Sequence, residues 1–379
     1  MSAAAPRVLH LVPQLFGPGG IYGGAERYAL ELALAMSAYV PTRLVGFGER
    51  AGREQWGELA IVTLRNQLPR RRFATSPASL ALWPHCRWAD IIHCHQIYTL
   101  GSSLALLYGR ARRKPVFLTD HAGGGVSLRN YVNLEAASAG CLWVSRFSQG
   151  DRPSRPHDAW IYAGVDPARF HPASAPPPPS APVLYVGRVL PVKAVHDLVA
   201  AVDDATPVDI LGPAYDPAYF ADLRRLARGK QIVFRPPAAG DDLVRAYQQA
   251  RCVVLPGVET LGLTLLEAMA CARPVIACSR GGLAEIFTAG VEALFFPPGD
   301  RRALAEAIAW VFSHPAEAAA LGARARERVL AEFTWDAVAR RCLAAYGFGA
   351  AAATAVGASS AQSASPAIAI KNPRLPPLM

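Results

Sequence analysis

Short apolar runs, each followed by a Gly-rich or polar turn and then by an amphipathic stretch, recur along the chain. In the first half, Val8–Leu15, Arg43–Phe47, Ala60–Leu64, Ile91–Cys94 and Val116–Thr119 predict strands. Ala25–Ala38 and Leu104–Arg113 predict helices between them. The pattern restarts after residue 182 with the strand in PVLYVGR, then Val208–Gly212, Gln231–Ala238, the helix and strand of DDLVRAYQQARCVVLP, and PVIACS. Strands alternating with helices argue for parallel sheets, and so for an α/β protein. The run Pro172–Pro182 is stiff and extended and suits neither sheet, so it reads as a surface linker between two domains, 1–171 and 183–333. The stretch 334–346 follows the second domain. Beyond it, 347–379 is biased to Ala, Ser and Gly and reads as a flexible tail.

Composition narrows the class. With 379 residues, 52% of them hydrophobic and 18% charged, the chain can build two globular cores. A net charge of +10 favours acidic partners: a nucleotide, or an anionic membrane face touched peripherally. No basic run with interleaved aromatics points to nucleic acid; Arg70–Arg72 and Arg110–Lys114 are short. The seven scattered cysteines fit a reducing cytoplasm better than a disulfide framework. The N-terminus reads as a first strand rather than a signal peptide. No stretch of about twenty apolar residues predicts a membrane span.

The chemistry concentrates in Gly257–Glu285. Glu259 and Glu267 flank a loop containing Gly262, which feeds the amphipathic segment Leu265–Cys271. Such a loop brings backbone close to a ligand, and the free N–H groups of the first helical turn, from Leu263 on, face an anion. Two carboxylates beside an anion site suit a ligand that carries hydroxyls as well as phosphate, namely a nucleotide sugar. Upstream, Arg188 and Lys193 flank a second loop that introduces a helix, and Gly23-Gly24 with Glu26 and Arg27 form a third.

ETLGLTLLEAMACARPVIACSRGGLAEI resembles the Glu-x7-Glu signature of retaining GT-B glycosyltransferases of the family 4 group. The resemblance covers Val8–Tyr346, is more specific in the C-terminal half, and implies that 334–346 is a closing helix returning to the N-terminal domain. It implies the GT-B fold, two Rossmann-like domains facing across a cleft. It also implies transfer of a hexose-type sugar, with retention, from a nucleotide-sugar donor to a glycan or lipid-linked acceptor, in bacterial surface or exopolysaccharide synthesis. The setting implied is cytoplasmic or peripheral at the inner membrane face. By resemblance Arg188 and Lys193 hold the diphosphate with the amides around Gly262 and Leu263, and Glu267 takes the ribose hydroxyls. Glu259 contacts the donor sugar, His121 does so from the other domain, and Gly23 and Gly24 face the diphosphate or the acceptor. Departures from the pattern are Ala163 where Asn is usual, Ala293 where Gly is usual, and Pro236-Pro237 where the nucleobase loop holds a Gly-containing turn.

His121 follows the strand Val116–Thr119 directly, where open α/β sheets bind ligands, and Gly123–Gly125 would let amides approach a substrate. His93 and His95 share one strand face while Cys94 points to the other. With His85 and Cys86 nearby they mimic a metal set, but the spacing is not that of a zinc site and no metal is expected. Asp203-Asp204 and Asp241-Asp242 read as helix-end capping rather than as a metal motif. Three other readings compete. A nucleotide-sugar epimerase would share the fold, and a non-catalytic nucleotide-binding paralogue would lose the chemistry. An NAD-dependent oxidoreductase needs a Gly-x-Gly-x-x-Gly spacing that GPGGIYGG lacks.

Overall fold

A computed structural model describes residues 5–13, 23–68, 76–121, 127–129 and 133–348. The expected loop glycines Gly123–Gly125, the arginines 70–72, the end of the first strand at Leu15, most of the loop before Gly23 and the tail from 349 lie outside the described residues. The chain gathers into two compact units. One runs to Gly164 and resumes at Trp335; the other is Val165–Thr334.

The first unit is built on a sheet of eight described strands in the order β3-β4-β2-β1-β5-β6-β7-β8. These are β1 (Val8–Leu11), β2 (Thr42–Gly48), β3 (Gly52–Trp56), β4 (Leu59–Arg65), β5 (Ile91–His95), β6 (Val116–Thr119), β7 (Gly140–Trp143) and β8 (Ala159–Trp160). All pairings are parallel except β3–β4. The hydrophobic pattern does not signal β3, because GREQW is mostly exposed and polar and pairs only as the outer arm of a hairpin. The central strands β1, β5 and β6 are buried at every position, as parallel strands covered on both faces must be.

Helices α1 (Gly24–Ser37), α2 (Trp83–Trp88), α3 (Leu100–Arg112), α4 (Leu134–Ala137) and α5 (Arg146–Gln149) connect these strands. Helix α3 begins earlier than its apolar spacing suggests, because the Thr99 hydroxyl accepts from the Ser102 amide and caps it. Ser145 likewise caps α5 through a reciprocal bond with Ser148.

The second unit holds six described strands in the order β11-β10-β9-β12-β13-β14, all parallel. They are β9 (Val183–Val186), β10 (Val208–Leu211), β11 (Ile232–Arg235), β12 (Cys252–Leu255), β13 (Val275–Cys278) and β14 (Leu294–Phe296). Helices α6 (Val195–Ala201), α7 (Pro217–Leu226), α8 (Gly240–Gln249), α9 (Leu263–Ala270), α10 (Arg301–Ser313) and α11 (Pro315–Glu332) accompany them. The sheet order is that of a Rossmann unit, and so is that of the first sheet once β3 is set aside. In both, chain order reverses beside the first strand, at β1/β5 and at β9/β12.

The division between the units falls ahead of the proline-rich run, so Pro172–Pro182 belongs with the second unit. The Val165 amide donates to the Phe333 carbonyl at 2.9 Å, and Val165 bridges Thr334. Phe170 is buried edge-on against Tyr247. The segment entering the unit is thereby tied to the segment leaving it.

Helix α12 (Trp335–Ala345) packs on α1 of the first unit. Trp335 meets Tyr28 edge-on at 5.2 Å, and the Tyr346 hydroxyl lies 2.7 Å from Nδ1 of the buried His93. A phenol lost there strands a buried ring nitrogen. Tyr346→Phe is therefore expected to cost about 1–3 kcal/mol in urea unfolding; an unchanged midpoint would show that the bond contributes nothing.

Candidate active site

Ligands bind open α/β sheets beyond the carboxyl ends of the strands where chain order reverses. In the second unit that point lies between β9 and β12. The strand β9 runs into Gly187-Arg188 and the 3-10 turn Pro191–Lys193; β12 runs into Gly257–Gly262 and α9. Lys193 Nζ sits 2.6 and 2.7 Å from the two carboxylate oxygens of Glu259, with both side chains 19% exposed. The sequence places these residues 66 apart; the sheet order brings them into one ion pair.

Two glycines make the approach possible. A Cβ on Gly257 would lie 2.9 Å from the Lys193 backbone. Gly281 bridges Glu259 with φ +129°, and a Cβ there would meet the Glu259 carbonyl at 2.3 Å. The Gly282 amide donates to that same carbonyl at 3.0 Å. A small hollow in this unit is lined by Leu255, Gly257, Glu259, Arg280, Gly281 and Leu283. Arg280, exposed and directly before Gly281, is a lining cation that the sequence motif does not single out.

Gly262 adopts a left-handed conformation (φ +85°) as N-cap of α9 and, as a glycine, offers the first-turn amides no side-chain cap. The Leu263 and Thr264 amides thus begin a helix whose partial positive charge suits an anion. Arg188 is exposed, and its carbonyl accepts from the Tyr185 hydroxyl at 2.8 Å, which fixes the turn carrying it. Glu267 differs from a surface carboxylate. It is 2% exposed, and its Oε2 accepts from the buried Tyr247 hydroxyl at 2.7 Å. Tyr247, on α8, is a partner that spacing along the chain does not reveal.

In the first unit, Gly23 is the N-cap of α1, with Gly24 the first helical residue. His121 follows β6 and joins a set of histidines on one face of the central strands. His10 lies opposite His93 in register, and His95 opposite Thr119. His10 Nδ1 is 3.0 Å from His95 Nε2, His95 Nδ1 is 3.2 Å from His121 Nε2, and His10 Nε2 is 3.3 Å from Met36 Sδ. His93 Nε2 is 2.7 Å from the Thr119 hydroxyl. Cys94 packs in the apolar cluster with Leu9, Leu11, Ile92 and Leu118.

Nitrogens of His10, His93 and His95 come within 4.8 Å of one another, close enough to surround a metal ion. Each of these nitrogens is already engaged by a ring, a hydroxyl or the thioether. His85, which the sequence places near them, instead meets an Arg43 guanidinium N–H at 3.0 Å.

Burial keeps these rings neutral. Desolvation pushes His10 down to about 3, and His93 and His95 well below the ordinary imidazole value. His121, partly exposed, is also lowered by desolvation.

Residues 168–328 match the glycosyl transferases group 1 family, and residues 22–169 match glycosyltransferase family 4. The chain belongs to this glycosyltransferase family. It is 29% identical over 322 residues to the alpha-maltose-1-phosphate synthase of Mycolicibacterium smegmatis, covering 71% of this chain and 81% of that one. It is 28% identical over 306 residues to a D-inositol 3-phosphate glycosyltransferase of Catenulispora acidiphila, covering 68% and 72%. Anabaena HepE, solved with UDP and glucose, superposes with a TM-score of 0.69 at 19% identity over 89% of this chain and 99% of that one. Sucrose-phosphate synthase of Thermosynechococcus elongatus gives 0.69 at 24% identity, covering 90% and 98%. The fold is GT-B, and the enzyme is a glycosyltransferase of a retaining family that takes its sugar from a nucleotide-sugar donor. Among the described residues no helix is long and apolar enough to cross a membrane.

Two outcomes follow from this geometry. In Gly281→Ala the new Cβ collides with the Glu259 backbone, so the Lys193–Glu259 geometry must shift. Steady-state turnover is expected to fall about a hundredfold, the scale of an ångström-sized misplacement, and wild-type turnover would remove Glu259 from the site. Secondly, the buried histidines are expected to make the glycosyltransferase lose stability in acid. An unfolded chain protonates its histidines near pH 6.5, whereas His10 stays neutral to about 3. As pH falls through that window the unfolded state alone gains the proton, so stability present above about 6.5 is lost on acidification. For His10 the loss is about 2 kcal/mol at pH 5. Thermal melts between about pH 7.5 and 5 check it; a flat profile contradicts it.

Proposed function

We propose that this glycosyltransferase transfers a hexose-type sugar with retention, and that Arg188, Lys193, Glu259, Gly262, Leu263 and Glu267 form its donor site. The observation that carries this reading is the Lys193–Glu259 pair at the reversal point of the second sheet, beside the uncapped start of α9. A diphosphate fits the cations and the helix amides. A sugar hydroxyl fits the carboxylate that Lys193 orients. Glu267, held on one oxygen by Tyr247, takes the ribose hydroxyls.

When donor binds, Lys193 exchanges part of its contact with Glu259 for phosphate oxygen. Attack by an acceptor hydroxyl on the anomeric carbon breaks the bond to the diphosphate oxygen, and that leaving oxygen takes the hydroxyl proton. Arg188, Lys193 and the α9 amides stabilise the charge that builds on it. These cations supply the charge that a divalent ion provides in other transferases. His121 contacts the donor sugar, and Gly23-Gly24 lies towards the diphosphate or the acceptor.

The relatives named for maltose 1-phosphate synthesis and for inositol 3-phosphate glycosylation support a small hydroxylated acceptor as readily as a glycan. The net charge of +10 supports a lipid-linked acceptor at an anionic membrane face and a role in surface polysaccharide synthesis. The two readings part on whether anionic vesicles retain the protein at physiological salt.

The donor is tested by thermal shift with UDP, GDP, ADP, TDP and their hexose conjugates. UDP leads the panel because Anabaena HepE has been solved with it. Ligand at 100 times its dissociation constant adds about 2.7 kcal/mol of stability, and one nucleotide should do so in wild type but not in Glu267→Ala. Lys193→Ala and Glu267→Ala should each lower turnover at least about tenfold. Wild-type rates in both would refute the site; no shift with any nucleotide would refute donor binding.

A further inference from the structure

His10, His95 and His121 form a continuous line of ring-to-ring hydrogen bonds that ends on Met36. A line of neutral imidazoles has a direction. Each ring carries one N–H and one lone pair, so every bond in the line donates the same way. The direction can be read from the end that offers no choice. A thioether has no hydrogen to give and can only accept. At 3.3 Å from Met36 Sδ, His10 Nε2 must therefore carry the proton, and its Nδ1 the lone pair. The 3.0 Å contact then requires a proton on His95 Nε2, which leaves the lone pair on His95 Nδ1. The 3.2 Å contact in turn requires a proton on His121 Nε2. His121 is left with its lone pair on Nδ1. Burial holds the inner rings neutral, so no second proton blurs the pattern.

We propose that Met36, His10 and His95 are positioning residues that fix His121 as the Nε2–H tautomer, so that it presents an acceptor nitrogen, Nδ1, to a hydroxyl of the donor sugar. The proposal rests on the reading that His121 contacts that sugar. His10 and His95 are fully buried while His121 keeps partial exposure, so the line runs from the core to one accessible end. His93 stands beside it on separate partners, Thr119 and Tyr346, and is not part of the line. Tyr28 packs edge-on against the His121 ring at 4.6 Å and limits its rotation, and the Tyr28 hydroxyl is itself tied to the Tyr162 carbonyl at 2.6 Å. Tautomer and ring orientation are thus both set from within the first unit. A lone pair at that position selects for a donor hydroxyl. A sugar carrying a deoxy carbon or a carboxylate there would leave the nitrogen unpaired or facing another acceptor.

The test is long-range 1H–15N correlation of 15N-histidine-labelled full-length protein at pH 7.5, a measurement that separates Nδ1–H, Nε2–H and imidazolium forms. The His121 signals are assigned by their loss in His121→Asn. The expected wild-type result is the Nε2–H form. Met36→Leu keeps the volume but removes the acceptor, and should bring up the Nδ1–H form of His121 while the sheet remains folded. The kcat of this variant should fall more than its KM rises, and Met36→Gln, whose amide oxygen accepts, should restore the Nε2–H form. An Nδ1–H or imidazolium His121 in wild type overturns the proposal without any Met36 variant having to fold, as does an unchanged tautomer in Met36→Leu. An Nε2–H His121 combined with full activity in His121→Asn would leave the directed line intact and refute the sugar contact instead.

Discussion

Parallel strand pairing is the constraint on which everything else in this molecule rests. A parallel pair cannot be closed by a tight turn, so each strand needs a crossover, and the crossovers bury the sheet on both faces. Every loop leaving a strand then emerges at the same edge. The reversal of chain order beside the first strand opens a gap between two such loops. In the second unit those loops carry Lys193 and Glu259. In the first, the strands beside the reversal carry His10, His93 and His95. The chemistry of both halves is a product of topology before it is a product of individual side chains.

The sheets trade apolar burial for polar content unequally. The face of β1, β5 and β6 towards α3 is an ordinary hydrocarbon cluster. The opposite face holds three fully buried histidines and Thr119. Such a face is stable only because its ring nitrogens are matched by neighbours, and a half-satisfied network would be worse than an apolar core. Tyr346, just beyond α12, supplies one of the matches, so the last described helix helps to complete a polar layer as well as to cover the sheet. The requirement for mutual satisfaction is also what gives the line of rings a single direction.

Much of this was legible in the chain. Runs such as Val116–Thr119 announce buried strands, and Ala25–Ala38 marks α1 to within a residue at each end. The spacing of Glu259, Gly262 and Glu267 points to a helix start just after Gly262, and α9 begins at Leu263. What the chain hides is whatever depends on close approach between distant segments. Gly281 is one half of a Gly-Gly turn in the sequence and a backbone bridge to Glu259 in the fold. His10 sits in a short apolar run with nothing to mark it. Only the pairing of β1 with β5 sets it beside His93, and only the packing of α1 brings Met36 to it. The two-residue spacing of His93 and His95 was the one available hint. Strand β3 escaped because a polar hairpin arm has no apolar period, and Tyr247 because its partner Glu267 belongs to another helix.

The tie between Val165 and the Phe333–Thr334 segment has a consequence for how such an enzyme can change. The chain leaves the first unit once and returns once, and the two crossings are bonded side by side at 2.9 Å. The second unit is thus an insert whose ends meet. A module of that kind can be excised, expressed or exchanged without rerouting the remaining chain. A lineage could swap the inserted unit while keeping the histidine-bearing one, or the reverse, so that the two bodies become separately heritable parts.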